Sequence, residues 1–173
     1  MMSSNDSDDL EVFVTIEAPL YPTESKEKLE KALSTFLETQ QFKLDKRVNG
    51  IYLTGIAKGL ESLKKFKDQI KKFQIAKMVR GRLIHNIEDD NLTTLFFNKQ
   101  AAFNDKIALL DPGEDPPLGL ISLSIVSNNL MKVIDWLTEI PSNKKNSEIY
   151  EERKREKFKD QKKRKRREYR KYR

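Results

Sequence analysis

The sequence of 173 residues has no cysteine, one histidine, one tryptophan, and only six glycines and six prolines. Without thiols there is neither a disulfide framework nor a thiolate metal site, and the lone His85 has no second imidazole with which to build a zinc centre. Beside Asn86, just past a basic helical stretch, it reads as a helix-end or solvent-facing residue. The few glycines form no phosphate-cradling loop. Gly55 and Gly59, in IYLTGIAKGL, match neither GxGxxG nor a Walker loop, and no GK[ST] follows them. No apolar run approaches the roughly twenty residues of a membrane-spanning helix, and the opening MMSSNDSDDL is acidic where a signal peptide is basic and then apolar. These absences predict a cytoplasmic, non-enzymatic protein with no catalytic residues, cofactor, metal or membrane attachment.

Charge is what the sequence has in abundance, at 35% of residues, and it is unevenly placed. Residues 144–173 hold 16 Lys or Arg against 6 Asp or Glu, so this segment carries +10 of a whole-chain +7 and residues 1–143 carry −3. Within that acidic body residues 58–82 are the exception, with nine cations against two acids. Such an asymmetry points to an acidic partner met by one face and one tail. Length and a hydrophobic content of 37% suit one domain with an appendage. The predicted division is a disordered leader over 1–10, an α+β domain over 11–143 and a basic tail over 144–173.

In chain order, residues 11–18 alternate as a strand that Pro19 and Pro22 close. Thr23 or Ser25 is placed to cap a helix whose apolar stripe is Leu29, Ala32, Leu33, Phe36 and Leu37. Residues 42–48 and 51–57 flank Asn49-Gly50, the signal for a hairpin with a type I′ turn. From Leu60 the period becomes helical, with Leu60, Leu63, Phe66, Ile70 and Phe73 on one stripe, Ile75, Met78, Val79 and Leu83 on a shifted one, and a break near Gly81. Apolar runs at 92–97, 106–110 and 120–126 predict further strands, and the Pro- and Gly-rich residues 111–119 a surface connection. Leu130, Val133, Ile134 and Leu137 mark a last helix ended by Pro141. The fold class that follows is α+β, an antiparallel or mixed sheet of five or six strands. Its helices lie mainly on one side, leaving the other for a partner or a second copy.

Lys58, Lys64, Lys65, Lys67, Lys71, Lys72, Lys77, Arg80 and Arg82 lie between the apolar stripes and are the candidate phosphate contacts of the body. Lys162, Lys163, Arg164, Lys165, Arg166, Arg167 and Arg170 are those of the tail. Two readings of the tail stand side by side. Glu151 with Arg155 and Asp160 with Arg164 have the spacing that supports a solvated helix, while Phe158, Tyr169 and Tyr172 among the arginines suit stacking on unpaired bases. Trp136 reads as a core or interface residue. Residues 98–103 read as a tight packing element, since a hydrolase built on Lys99, Asp105 and Lys106 lacks a tuned base or a metal.

NKQAAF at 98–103 with DK after it, PPLG at 116–119, IDWL at 134–137 and the earlier EAPLYPTES at 17–25 resemble, in this order, an archaeal family of predicted RNA-binding, exosome-associated proteins. The fold of that family is similar to a ribosomal protein that holds 5S RNA. The likeness spans residues 12–140 and leaves the tail outside. Phe73-Gln74 stands where the family pattern is Arg-rich, and Leu120 where it has proline. The resemblance implies RNA as partner, a non-catalytic accessory role in RNA processing or ribosome-related assembly, a homodimer, and subunits of an RNA-processing complex as further partners. The competing expectation is a dimeric protein-interaction module whose tail docks on an acidic protein.

Overall fold

A computed structural model of the protein describes residues 9–140 and, beyond them, Glu152, Arg155, Glu156, Lys159, Asp160, Lys162 and Lys163. The plan starts from the side-chain alternation of β1 (Val12–Pro19), in which Val12, Val14, Ile16 and Ala18 are buried while Phe13 is exposed and Thr15, Glu17 and Pro19 are half-covered. Residues paired across antiparallel strands share a face, so this division spreads through the sheet. Ile16 faces Gly55 of β3 (Gly50–Lys58) on one side and Leu123 of β6 (Leu120–Ser127) on the other. Leu123 in turn faces Leu95 of β4 (Leu92–Asn98). With β2 (Phe42–Arg47) and the two-residue β5 (Leu109–Leu110) at the edges, the six strands run antiparallel in the order β2-β3-β1-β6-β4-β5.

The helices cover the buried face. In α1 (Lys26–Leu33) the Ser25 hydroxyl accepts from the Lys28 N–H and caps the first turn, and Leu29, Ala32 and Leu33 are buried. Phe36 and Leu37, expected to extend this helix, are buried from the turn that follows it. A 3-10 turn over Leu60–Leu63 leads into α2 (Lys64–Lys72), which buries Phe66 and Ile70 one helical turn apart. Phe36, Phe66 and Phe97 meet with ring centroids 4.5, 5.6 and 5.7 Å apart, joining α2, the turn after α1 and the end of β4. α3 (Ala76–His85) is tied to β4 by the buried Thr93 hydroxyl, which donates to the Leu83 carbonyl at 2.6 Å, and by the Asn86 amide, which donates to the Thr94 carbonyl. α5 (Leu130–Thr138) buries Leu130, Val133, Ile134 and Leu137 as expected.

Several local expectations shift. The hairpin forms, but Arg47 pairs with Gly50, so Val48 and Asn49 make the turn and neither has the positive φ of a type I′ turn. Of the run at 106–110 only Leu109 and Leu110 join the sheet, because Asp105 turns left-handed and the Lys106 N–H bonds back to Ala101. The helical region breaks at Gln74 (φ 57°), not at Gly81, which lies within α3. α5 ends at Thr138, with Glu139 left-handed, and Pro141 lies outside the described residues.

The segment 98–103 folds as the short α4 (Lys99–Phe103), capped by the Asn98 side chain. Its Lys99 is fully buried, donates to the Pro19 carbonyl and the Glu24 carboxylate at 2.7 Å each, and lies 4.5 Å from the Tyr21 ring centroid. The same carboxylate accepts from the Tyr21 N–H, so the loop after β1 is fastened to α4 by one enclosed ion pair. In the segment beyond residue 140, the seven described residues are helical and exposed.

Candidate nucleic-acid interface

With Leu63, Phe66 and Ile70 turned into the core, the rest of α2 faces outward: Lys64, Lys65, Lys71 and Lys72 are exposed and Lys67 is half-buried, with Asp68 the one acid among them. Lys71 and Lys72 occupy the last turn, where cations are favoured by the helix dipole. Lys65 lies 3.7 Å from Glu38. Lys67 and Lys71 share Glu139, at 3.4 and 3.2 Å. Lys64, Lys72 and, at the start of α3, Lys77 have no ion-pair partner among the described residues. Five of the expected lysines are thus gathered on α2, and a sixth, Lys77, stands at the start of α3 beside Lys67 and Lys71 in one groove.

Three expected contacts are placed elsewhere. Arg80 is buried, with 5% of its surface exposed, and its guanidinium donates to Asp135, Thr138 and the Ile140 carbonyl at 2.8, 3.4 and 2.8 Å. It faces inward because Val79, Arg80 and Leu83 form the packed side of α3, and it supplies positive charge to the carbonyl end of α5; the assignment of Arg80 as a phosphate contact is corrected accordingly. Met78, expected in that stripe, is exposed. Arg82 is half-buried and pairs with Asp111 of the acidic loop. Lys58 projects from the end of β3 over the Phe13 ring, on the open side of the sheet, away from α2. Of the tail residues, Lys162 and Lys163 are helical and exposed, whereas Arg164, Lys165, Arg166, Arg167 and Arg170 lie outside the described residues, as do Phe158, Tyr169 and Tyr172.

Other features of this surface have no local signal in the sequence. Phe73, expected in the buried stripe, is exposed because α2 stops at Lys72 and the left-handed Gln74 rotates the chain into α3; the Lys72 ammonium lies 5.5 Å from its ring centroid. Trp136 is half-buried, with the Lys67 ammonium 4.3 Å from its centroid. Between α2, the start of α3 and the end of α5 runs an open groove of about 530 Å³, lined by Lys67, Lys71, Gln74, Lys77 and Glu139 among others. Accepting from Lys71 and then Lys67 holds the Glu139 carboxyl below its ordinary pKa. A proximity of α2 to residue 139, some seventy positions away, follows only from the packing of α5 against α2. Cations, an exposed ring and a groove on one surface suit a polyanion that also carries stacking groups.

The open sheet face is different in character. Phe13, Ile56 and Val126 are exposed there, in rows with Thr15 and Ser124, while Arg47 lies over the Tyr52 ring and bonds both Glu17 and Asp45, which hold its pKa well above the ordinary value. Among the described residues no group of three or more His, Asp or Glu side chains is placed to hold a metal, and no helix is long and apolar enough to cross a membrane.

Residues 13–127 match a family model described as RNA binding. The chain is 32% identical to a UPF0201 protein of Metallosphaera sedula over 72% of its own length and 85% of the relative's. It is 29% identical to a UPF0201 protein of Aeropyrum pernix over 73% of its length and 84% of that relative's. Among solved structures, a UPF0201 protein from Methanococcus jannaschii superposes with a TM-score of 0.62 at 24% identity, covering 73% of this chain and 98% of that one, a likeness of fold.

Proposed function

This chain belongs to the UPF0201 family, whose matching family model is described as RNA binding, and from that membership we propose a non-catalytic, cytoplasmic RNA-binding accessory protein that acts in RNA processing or ribosome-related assembly. The observation that carries the assignment to a surface is the lysine row of α2 with Lys77 and the exposed Phe73. Lys64, Lys72 and Lys77 are free to meet phosphates, and Phe73, already against an ammonium, offers a ring to an unpaired base. The tail adds non-specific charge and reach. Association with subunits of an RNA-processing complex is part of the same proposal. Gel shifts against structured RNA, single-stranded RNA and duplex DNA test it, with RNA bound at moderate salt as the expected result; no binding to any of the three overturns it.

A homodimer paired through the open sheet face is a second reading, supported by the exposure of Phe13, Ile56 and Val126 on one side of the sheet. In that reading the tail docks on an acidic protein. Light scattering on the wild type and on Ile56→Lys tests the dimer, and partners captured from cells after nuclease treatment separate a protein-binding role from an RNA-binding one.

A further inference from the structure

We propose that Glu139 is an internal occupant of a phosphate subsite: its carboxylate holds Lys67 and Lys71 in the groove between α2 and α5, and a backbone phosphate of bound RNA displaces it. The proposal rests on the RNA-binding reading and concerns how that interface is gated. The carboxylate bridges two ammonium groups: Lys67 lies 3.4 Å from Oε1, and Lys71 lies 3.2 Å from Oε2 and donates to Oε1 at 3.4 Å, a pair of cations that the non-bridging oxygens of a phosphodiester would also bridge. Its backbone is poorly suited to the position. Glu139 is left-handed (φ 53°) just past the end of α5, where glycine is usual, and a carboxylate there faces the negative end of the helix dipole. What favours it in place is the pair of lysines.

That hold is weak enough to exchange. Glu139 is half exposed and Lys71 largely so, and exposed ion pairs contribute little. Lys67 has a second contact that does not depend on the carboxylate, its ammonium lying 4.3 Å from the Trp136 ring centroid. The groove also continues past Glu139 to Lys77 and to the first turn of α3, which no side chain caps, so a displacing phosphate finds further donors. A phosphate chain brings several charges where Glu139 brings one.

Trp136 is the sole tryptophan of the chain and its ring lies against Lys67, so its fluorescence reports this site. The full-length wild type, Glu139→Gln and Glu139→Gly are titrated with inorganic tripolyphosphate and with a structured RNA; Glu88→Gln, a charge removed elsewhere on the surface, is the control. Both Glu139 variants are expected to bind both probes about two- to fivefold more tightly than wild type, with Glu88→Gln close to wild type. Because Gly relieves the left-handed strain that Gln retains, equal gains from the two variants assign the effect to the carboxylate. Affinities unchanged in both variants, or gains matched by Glu88→Gln, overturn the proposal while leaving wild-type RNA binding in place. Tighter tripolyphosphate binding with no RNA bound by any protein keeps the anion subsite and removes the RNA reading. Adding Lys67→Gln and Lys71→Gln to Glu139→Gln abolishes the gain if these lysines are the recipients; a gain that persists places the anion elsewhere and overturns the proposal.

Discussion

The Lys99 ammonium is wholly enclosed, and the carboxylate it meets, on Glu24, is itself mostly covered. Removing one member of such a pair leaves the other uncompensated, so Lys99→Met is expected to cost about 3–5 kcal/mol, read as a fall in thermal midpoint. Lys99→Met with Glu24→Leu removes both charges and is expected to recover most of that loss. A double variant as unstable as the single one would show that the three hydrogen bonds around these groups matter more than the charges. Glu139 behaves in the opposite way because it is exposed. Its folded-state pKa is depressed by Lys71 and Lys67, so the interaction is present above the ordinary glutamate value and is lost as pH falls through the depressed one. Trp136 fluorescence should therefore be flat between about pH 7 and pH 5 and change only below the ordinary glutamate range. A transition nearer neutrality would mean that another group governs the site.

For single elements, α2 offers the cleanest test, because Lys64 and Lys72 lie at its two ends and touch no acid among the described residues. Each neutralised phosphate contributes about −0.7 to −0.9 to the dependence of log K on log salt, so Lys64→Ala with Lys72→Ala should flatten that slope by about 1.4 to 1.8 without shifting the melting temperature. An unchanged slope would move the interface off α2. The elements were largely legible in the sequence because their signals are local: Val12, Val14 and Ile16 alternate within β1, Phe66 and Ile70 repeat within α2, and Ser25 stands three residues before the N–H it caps. What the sequence does not disclose depends on partners far along the chain. Arg80 reads like any other cation of a basic helix until α5 brings Asp135 and the Ile140 carbonyl to it, and Phe73 continues a perfect stripe until Gln74 ends it. The lysines of α2 were legible as a surface; the carboxylate seated among them was not.

Across the whole molecule, charge separates what residues 1–143 and 144–173 contribute. Deleting 144–173 removes a surplus of ten positive charges and leaves −3, so affinity should fall alike for all RNAs while any preference for RNA shape persists. The salt slope should flatten by about 0.7 for every phosphate of a single strand that the shortened chain no longer neutralises. Loss of the cooperative melt on deletion would instead give this segment a structural role.

The strand order has a consequence for how the chain becomes a protein at all. β1 lies between β3 and β6, and its pairing with β6 joins Val12 to Ser127, more than a hundred residues apart. During synthesis β1 can zip to β3 early, but its other edge, and the matching edge of β4, stay bare until β6 has left the ribosome, since it is β6 that pairs with both of them. Closing so long a loop is slow relative to local helix formation. The sixth strand is thus the keystone of the sheet, and until it arrives the nascent chain presents the two edges that β6 will join to any neighbour able to pair with them.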